Sequence, residues 1–243
     1  MRPNAMDHEF TIDESPVPFA PGQTILEAAK AAGIYIPHLC FQPDFQRHGG
    51  CKLCTVLVNG RTRTACTMKA AVGQEIDVNT PELDAMRRSL VQMLFIEGNH
   101  FCPGCEKSGA CQLQALGYEY EMLSPHFVGL YSHREVDASH PDVLIDFNRC
   151  ILCELCVRAS RDVDHKEVFA IAGRGLKAEL IINSPTGKLG DSAFAVTDRA
   201  AHVCPVGAIL IKRVGFSTAI GDRAYDREPI SAEAESCELP EPR

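Results

Sequence analysis

With 243 residues the chain has room for one to three small domains, and its 45% hydrophobic share is that of a folded globular protein. A formal charge of −8 and the lack of any basic run argue against a nucleic-acid partner. No run of about 18 apolar residues occurs, which argues against a membrane-spanning helix, and Met1 to Glu14, with Asp7, Glu9, Asp13 and Glu14, lacks the apolar core of an export signal. Twelve cysteines in such a chain predict a reducing compartment, the cytoplasm, where thiols bind metal more often than they pair.

The first elements read as a small α+β unit. Short strands are predicted at Phe10 to Ile12 and Val17 to Ala20, then a helix from Thr24 to Ala32 ended by Gly33. Cys40 follows, separated by ten residues from Cys51, and the loop between them ends in Arg47-His48-Gly49-Gly50. Glycines there let backbone N–H groups approach a bound group. Cys51 and Cys54 form C-x2-C. In the run Thr55 to Ala65 the Asn59-Gly60 pair predicts a two-residue hairpin, with Val58 facing Arg61 and Cys54 facing Ala65. Cys66 then returns beside Cys54, and four thiolates converge on one metal site, for which an iron–sulfur cluster and structural zinc are the alternatives.

Thr80-Pro81-Glu82 starts the next helix, with threonine at the N-cap, proline at N1 and the acids Glu82 and Asp84 in the first turn. Leu83, Met86, Leu90 and Leu94 give an apolar stripe, and Gly98 can end the helix, delivering His100 to its end. Cys102, Cys105 and Cys111 follow in C-x2-C-x5-C. Three thiolates leave a four-iron cubane one ligand short, and no other histidine lies nearby. Further on, Cys150, Cys153 and Cys156 in C-x2-C-x2-C, with a distant Cys204-Pro205, have the form of a bacterial ferredoxin run. Ser160 stands where a two-cluster ferredoxin continues its run, and Phe194, Thr197 and Ala200 stand where it carries its second triplet, so a single cubane is expected. Cys237, alone in the acidic tail, reads as a surface thiol.

Gly173-Arg174-Gly175 is not a dinucleotide fingerprint and Gly187-Lys188 lacks the P-loop frame. Neither a nucleotide nor a flavin is therefore expected on this chain. All suitable cysteines are assigned, which leaves none for a NiFe centre, and no catalytic residue is expected. His38 and His48 lie near the first group, where hydrogen bonds around a metal are possible.

The residues resemble known iron–sulfur modules in order. The first group resembles the β-grasp [2Fe-2S] domain at the start of the large iron–sulfur subunit of respiratory complex I. The second resembles the [4Fe-4S] domain with one histidine and three cysteine ligands that complex I shares with hydrogenases; there the histidine usually stands four residues before the first cysteine, whereas His100 stands two before Cys102. The third resembles a ferredoxin. Glu97-Gly98-Asn99-His100, Cys105-Glu106-Lys107-Ser108-Gly109, Cys111-Gln112-Leu113-Gln114-Ala115, Cys204-Pro205-Val206-Gly207 and Lys212-Arg213-Val214-Gly215 resemble the small diaphorase (gamma) subunit of soluble NAD-reducing NiFe hydrogenases.

This resemblance implies an α+β chain with a β-grasp domain over 9–79, a helical domain over 80–125, a ferredoxin-like domain over 140–215 and a partner-docking tail over 216–243. It implies one [2Fe-2S] cluster on Cys40, Cys51, Cys54 and Cys66. It implies two [4Fe-4S] clusters, on His100, Cys102, Cys105 and Cys111 and on Cys150, Cys153, Cys156 and Cys204. The implied role is non-catalytic: to relay electrons between an FMN- and NAD-binding diaphorase subunit and the small and large subunits of a NiFe hydrogenase. The 243-residue length fits a free-standing subunit. The equivalent subunit of an NAD-dependent formate dehydrogenase or an NADP-reducing hydrogenase is the alternative, and a zinc-bound scaffold is the non-redox one.

Overall fold

The computed structural model describes residues 8–122, 124, 126–130 and 133–233. Cys237 and residues 1–7 lie outside them, so the readings of a surface thiol and of an absent export signal fall largely on residues not described. The chain divides into one unit of residues 8–90 with the short helix Ile230–Glu233, and another of residues 91–229.

In the first unit, strands β1 (Glu9–Ile12), β2 (Ser15–Pro18), β3 (Thr55–Val58), β4 (Arg61–Thr64) and β5 (Glu75–Asp77) form one sheet in the order β2-β1-β5-β3-β4. Only the β1–β5 pair is parallel. The hairpin is as expected: Val58 faces Arg61, and Asn59 and Gly60 both take positive φ, 48° and 72°, as a two-residue turn requires. Ala65 N–H donates to the Cys54 carbonyl at 2.9 Å, which sets Cys66 beside Cys54. Strand β2 ends two residues before the expected Ala20. Strand β5 escapes sequence reading because three residues are too short to show a period; its partners place it, with Thr11 opposite Glu75 and the Asn59 side chain accepting from Glu75 N–H at 2.8 Å.

Helix α1 (Ile25–Ala31) opens on a capping box in which Thr24 Oγ1 accepts from Glu27 N–H and Glu27 Oε2 accepts from Thr24 N–H. It buries Ile25, Leu26, Ala28 and Ala29 in one core with Phe10, Ile12, Val56, Val58 and Ile76, and Cys54 and Cys66 belong to that core. The first metal loop therefore rests on the core itself. Helix α2 (Pro81–Glu97) starts at Thr80, whose hydroxyl accepts from Leu83 N–H at 3.2 Å. Its buried face differs from the expected stripe. Leu83 is buried, but Met86, Leu90 and Leu94 are only half-buried, and Arg87, Val91, Gln92 and Ile96 take the inward positions. Arg87 can turn inward because the carbonyls of Leu53, Thr55 and Val78 and the Asp84 carboxylate meet its guanidinium.

The second unit holds helix α3 (Gln112–Glu119), a sheet of β6 (Val136–Asp137), β7 (Val143–Asp146) and β10 (Ile209–Ile211) in the order β10-β7-β6, and a hairpin of β8 (Phe169–Ala172) and β9 (Glu179–Ile182). The short helices Leu155–Arg158 and Arg199–His202 pack together. Asp164 joins them by accepting from Arg199 and Ala200 N–H at 2.7 and 3.0 Å. The positions at which a two-cluster ferredoxin carries its further cysteines are ordinary structure. Ser160 Oγ accepts from Val168 N–H at 2.9 Å, Ala200 is buried, and the Phe194 ring lies edge-on to His140 and Phe169 at 5.7 and 5.4 Å. Thr197 is exposed.

Candidate metal centres

In the first group the four thiols sit as two pairs. Cys51 N–H approaches Cys40 Sγ at 3.5 Å. A hydrogen bond from the Cys51 thiol holds Cys40 down to about 5 against the opposing effect of burial, and the same bond together with burial pushes Cys51 up. Cys54 likewise stabilises the thiolate of Cys66 and is itself raised. Cys40 and Cys51 each add to the repulsion felt by Cys66, so the two pairs lie within electrostatic reach of each other. Four thiols this close cannot all ionise unless positive charge is supplied, which is what iron provides. Lys52, between Cys51 and Cys54, has φ +60°, and Gly49 has +69°. Left-handed residues of this kind turn successive backbone N–H groups inward, forming a concavity suited to anions and sulfides. Helix α1 tethers the loop through Glu27, which pairs with Arg47 as well as capping the helix. His38 is spent elsewhere: its Nδ1 pairs with the Ile36 carbonyl at 2.8 Å.

In the second group, Cys105 and Cys111 are buried and Cys102 is half-buried. Burial pushes Cys111 up to about 12, and Cys105 and Cys102 add to that. His100 is brought to the same region by the end of α2, with its ring 5.4 Å from Phe95. Burial, and then the charge of Arg149, hold it down to about 4, so its imidazole is neutral at pH 7, the state that can ligate iron. Its Nε2 is buried without a hydrogen-bond partner. A buried imidazole nitrogen without a partner costs about 1–3 kcal/mol, and a metal ligand role removes that cost. The donor set therefore fits a cluster held by one histidine and three cysteines.

In the third group a cavity is lined by all four cysteines, Cys150, Cys153, Cys156 and Cys204, with Ile171, Leu180, Val206 and Ile209 as apolar wall. Burial raises Cys156 well above its usual range, and repulsion from Cys153, Cys150 and Cys204 adds to it; burial pushes Cys150 up to about 11. Leu152 and Glu154 are left-handed at +52° and +58° within the C-x2-C-x2-C loop. Such φ values are uncommon for leucine and glutamate and make the loop turn tightly between its cysteines. The chemistry again fits a cluster. Among the described residues no three His, Cys, Asp or Glu side chains close on a single-ion site.

Four further residues went unnoticed in the sequence. Arg149, just before Cys150, has Nη1 3.5 Å from Cys105 Sγ. Arg87 holds the carbonyls on either side of Cys54, those of Leu53 and Thr55. Arg223 donates to the Ser108 carbonyl at 3.2 Å, and Tyr225 N–H to the Gly109 carbonyl at 2.8 Å, so the segment after β10 straps the loop between Cys105 and Cys111. For Arg149 and Arg87 the signal was a basic residue beside a ligand and one inside an apolar helical register; Arg223 and Tyr225 carry no local signal.

The family comparisons follow the same order. Residues 7–81 match the family described as a 2Fe-2S iron–sulfur cluster binding domain, residues 87–126 the NADH-ubiquinone oxidoreductase-G iron–sulfur binding region, and residues 143–211 a 4Fe-4S single cluster domain. Three such domains in series define an iron–sulfur electron-transfer protein. The chain is 39% identical over 230 residues to the gamma subunit of the NAD-reducing hydrogenase HoxS of Cupriavidus necator, covering 94% of this chain and 97% of that one. It belongs to the family of NAD-reducing hydrogenase gamma subunits. A crystal structure of an NAD+-reducing [NiFe]-hydrogenase in the H2-reduced state contains a chain 53% identical, with TM-score 0.90, covering 93% of this chain and 96% of that one. The mitochondrial NADH dehydrogenase [ubiquinone] iron–sulfur protein 1 of Solanum tuberosum is 30% identical over 211 residues, which is 86% of this chain and 28% of that relative. No helix among the described residues is long and apolar enough to cross a membrane.

Proposed function

We propose that this chain is the non-catalytic subunit that passes electrons between an FMN- and NAD-binding diaphorase subunit and the small and large subunits of a NiFe hydrogenase in the cytoplasm. The observation that carries the proposal is the match to a hydrogenase gamma subunit along nearly the whole of both chains. When bound, the clusters supply one-electron carriage without proton or group transfer. Cys40, Cys51, Cys54 and Cys66 hold a [2Fe-2S] cluster; His100 with Cys102, Cys105 and Cys111, and Cys150, Cys153 and Cys156 with Cys204, hold one [4Fe-4S] cluster each. The domains are those of residues 9–79, 80–125 and 140–215, with 216–243 as docking tail. The protein's part is to hold these ligands rigid and partly dry. Support for docking comes from a groove beside the second group, lined by Pro103, Glu106, Val214, Phe216 and Ile220, with Phe216 and Ile220 68% and 85% exposed. Exposed apolar side chains gathered in this way mark interaction surfaces.

The test is anaerobic purification of the tagged chain with its partners, followed by metal analysis and assays of NAD reduction with hydrogen and with formate. About ten irons per chain, matching acid-labile sulfide and hydrogen-dependent activity are expected. Activity with formate alone refutes the hydrogenase assignment, and stoichiometric zinc without visible absorbance refutes electron transfer.

A further inference from the structure

The loops of the second and third cysteine groups meet at one side chain. Arg149, the residue before Cys150, lays its guanidinium against the second group: Nη1 is 3.5 Å from Cys105 Sγ, 3.2 Å from Glu106 Oε2 and 3.3 Å from the Gly207 carbonyl. Its Nε is fixed by Asp146 Oδ2 at 2.9 Å. Gly207, three residues after Cys204, closes the same space; a Cβ there would stand 2.5 Å from Cys105 Sγ. The side chain is therefore clamped by a carboxylate on one edge, while the other edge is shared between a carboxylate, a carbonyl and a candidate cluster sulfur. Four contacts from one planar fork are more than a surface arginine needs for solubility, and lysine could not reproduce them.

We propose that Arg149 is a positioning residue that sets the midpoint potential of the site formed by His100, Cys102, Cys105 and Cys111, through its N–H contact with Cys105 Sγ. The inference rests on the ligand set proposed above. On reduction one electron enters and no bond forms or breaks, and negative charge on the ligand sulfurs rises. A guanidinium N–H pointing at Cys105 stabilises the reduced state more than the oxidised one, and hydrogen bonds to sulfur are among the factors that set cluster potentials. Asp146 and Glu106 face the same guanidinium and temper its charge, while Asp146 fixes its direction. Since Arg149 also opens the Cys150 loop, it ties the position of Cys105 to the third group.

The test uses the chain purified anaerobically with its partner subunits, as the parent, Arg149→Gln, Arg149→Lys, Glu106→Gln and Cys111→Ala. Iron content and electron paramagnetic resonance come first, then dithionite titration with mediators. In Arg149→Gln the reduced-to-oxidised ratio of the second site at fixed potential should fall about tenfold, which is about 59 mV for one electron. The [2Fe-2S] signal, whose candidate ligands lie in the other unit, should titrate as in the parent. Arg149→Lys should recover part of the shift. The exchangeable-deuteron coupling of the guanidinium should be lost in Arg149→Gln, while those of the Leu113 and Gln114 amides at Cys111 remain. A fully loaded Arg149→Gln with the parent's midpoint overturns the proposal. If that variant loses iron, Glu106→Gln decides: it removes the carboxylate charge that competes with Cys105 Sγ for the guanidinium and should raise the ratio, and an unchanged or lower ratio overturns the proposal. Cys111→Ala that keeps the second site's iron and signal refutes the ligand set instead.

Discussion

Replacing Arg87 by methionine should loosen the first metal loop from a distance. Arg87 is 1% exposed, and its guanidinium donates to the carbonyls of Val78 at 2.8 Å, Thr55 at 3.0 Å and Leu53 at 3.4 Å, with Asp84 Oδ1 at 3.4 Å on its exposed side. Leu53 and Thr55 flank Cys54, so one helix residue fixes the backbone on both sides of a candidate ligand. Methionine keeps most of the apolar stem and removes every donor. Two good charge-assisted hydrogen bonds are lost, and each carbonyl left unmet in the interior costs about 1–3 kcal/mol. Not having to desolvate a guanidinium returns part of this. The net expected loss is about 2–4 kcal/mol, which for a domain of this size is roughly 10–25 °C in Tm. Native-state hydrogen exchange at the amides of β3 and β4 in the full chain reads the effect locally, and the visible circular dichroism of the [2Fe-2S] site reads it at the metal. Arg87→Lys should recover only a minor part, because an ammonium cannot span three carbonyls. Exchange at the parent's rate in Arg87→Met, or full rescue by lysine, would refute the clamp.

Other substitutions test the remaining parts. His100→Cys should add a negative thiolate to the second site and lower its midpoint, read by redox titration; an unchanged midpoint and spectrum would show that His100 does not touch iron. Phe194→Ala empties the space between His140 and Phe169 and should cost about 3–5 kcal/mol in the second unit, measured by chemical denaturation; a loss below about 1 kcal/mol would mean the ring does not anchor that core. Burial acts to raise Glu27, but hydrogen bonds from Arg47 and Thr24 outweigh it and hold the carboxyl below its ordinary 4.5. A lowered folded value means stability present above the unfolded pKa and lost as pH falls through the folded one. Glu27→Gln should thus lower the melting temperature by a constant amount above about pH 5 and by a shrinking amount on acidification. A pH-independent difference would show that the carboxylate charge plays no part.

Covalent pattern and local backbone rules carried the sequence reading a long way here, for an identifiable reason. Cysteine spacing limits where a loop can go, Asn59-Gly60 dictates a turn, and Thr24 and Thr80 announce helix starts, all within a few residues of chain. What stayed hidden depends on partners far away in sequence. Strand β5 exists because β1 and β3 offer edges to Glu75–Asp77. Arg87 sits inside an apolar stripe because carbonyls 9 to 34 residues away are waiting for it. Arg149 is separated by 44 residues from Cys105 and by 58 from Gly207, and no local rule links them. The unpartnered Nε2 of His100 shows how the two kinds of evidence meet. Spacing made the histidine a candidate by counting ligands, and burial then left its Nε2 without a hydrogen-bond partner, as the proposed ligand role requires. Local rules name the donors, and long-range contacts, chiefly from arginines, fix their electrostatic setting. Two clusters with the same ligand types can thereby differ in potential, and that difference is what gives an electron relay its direction.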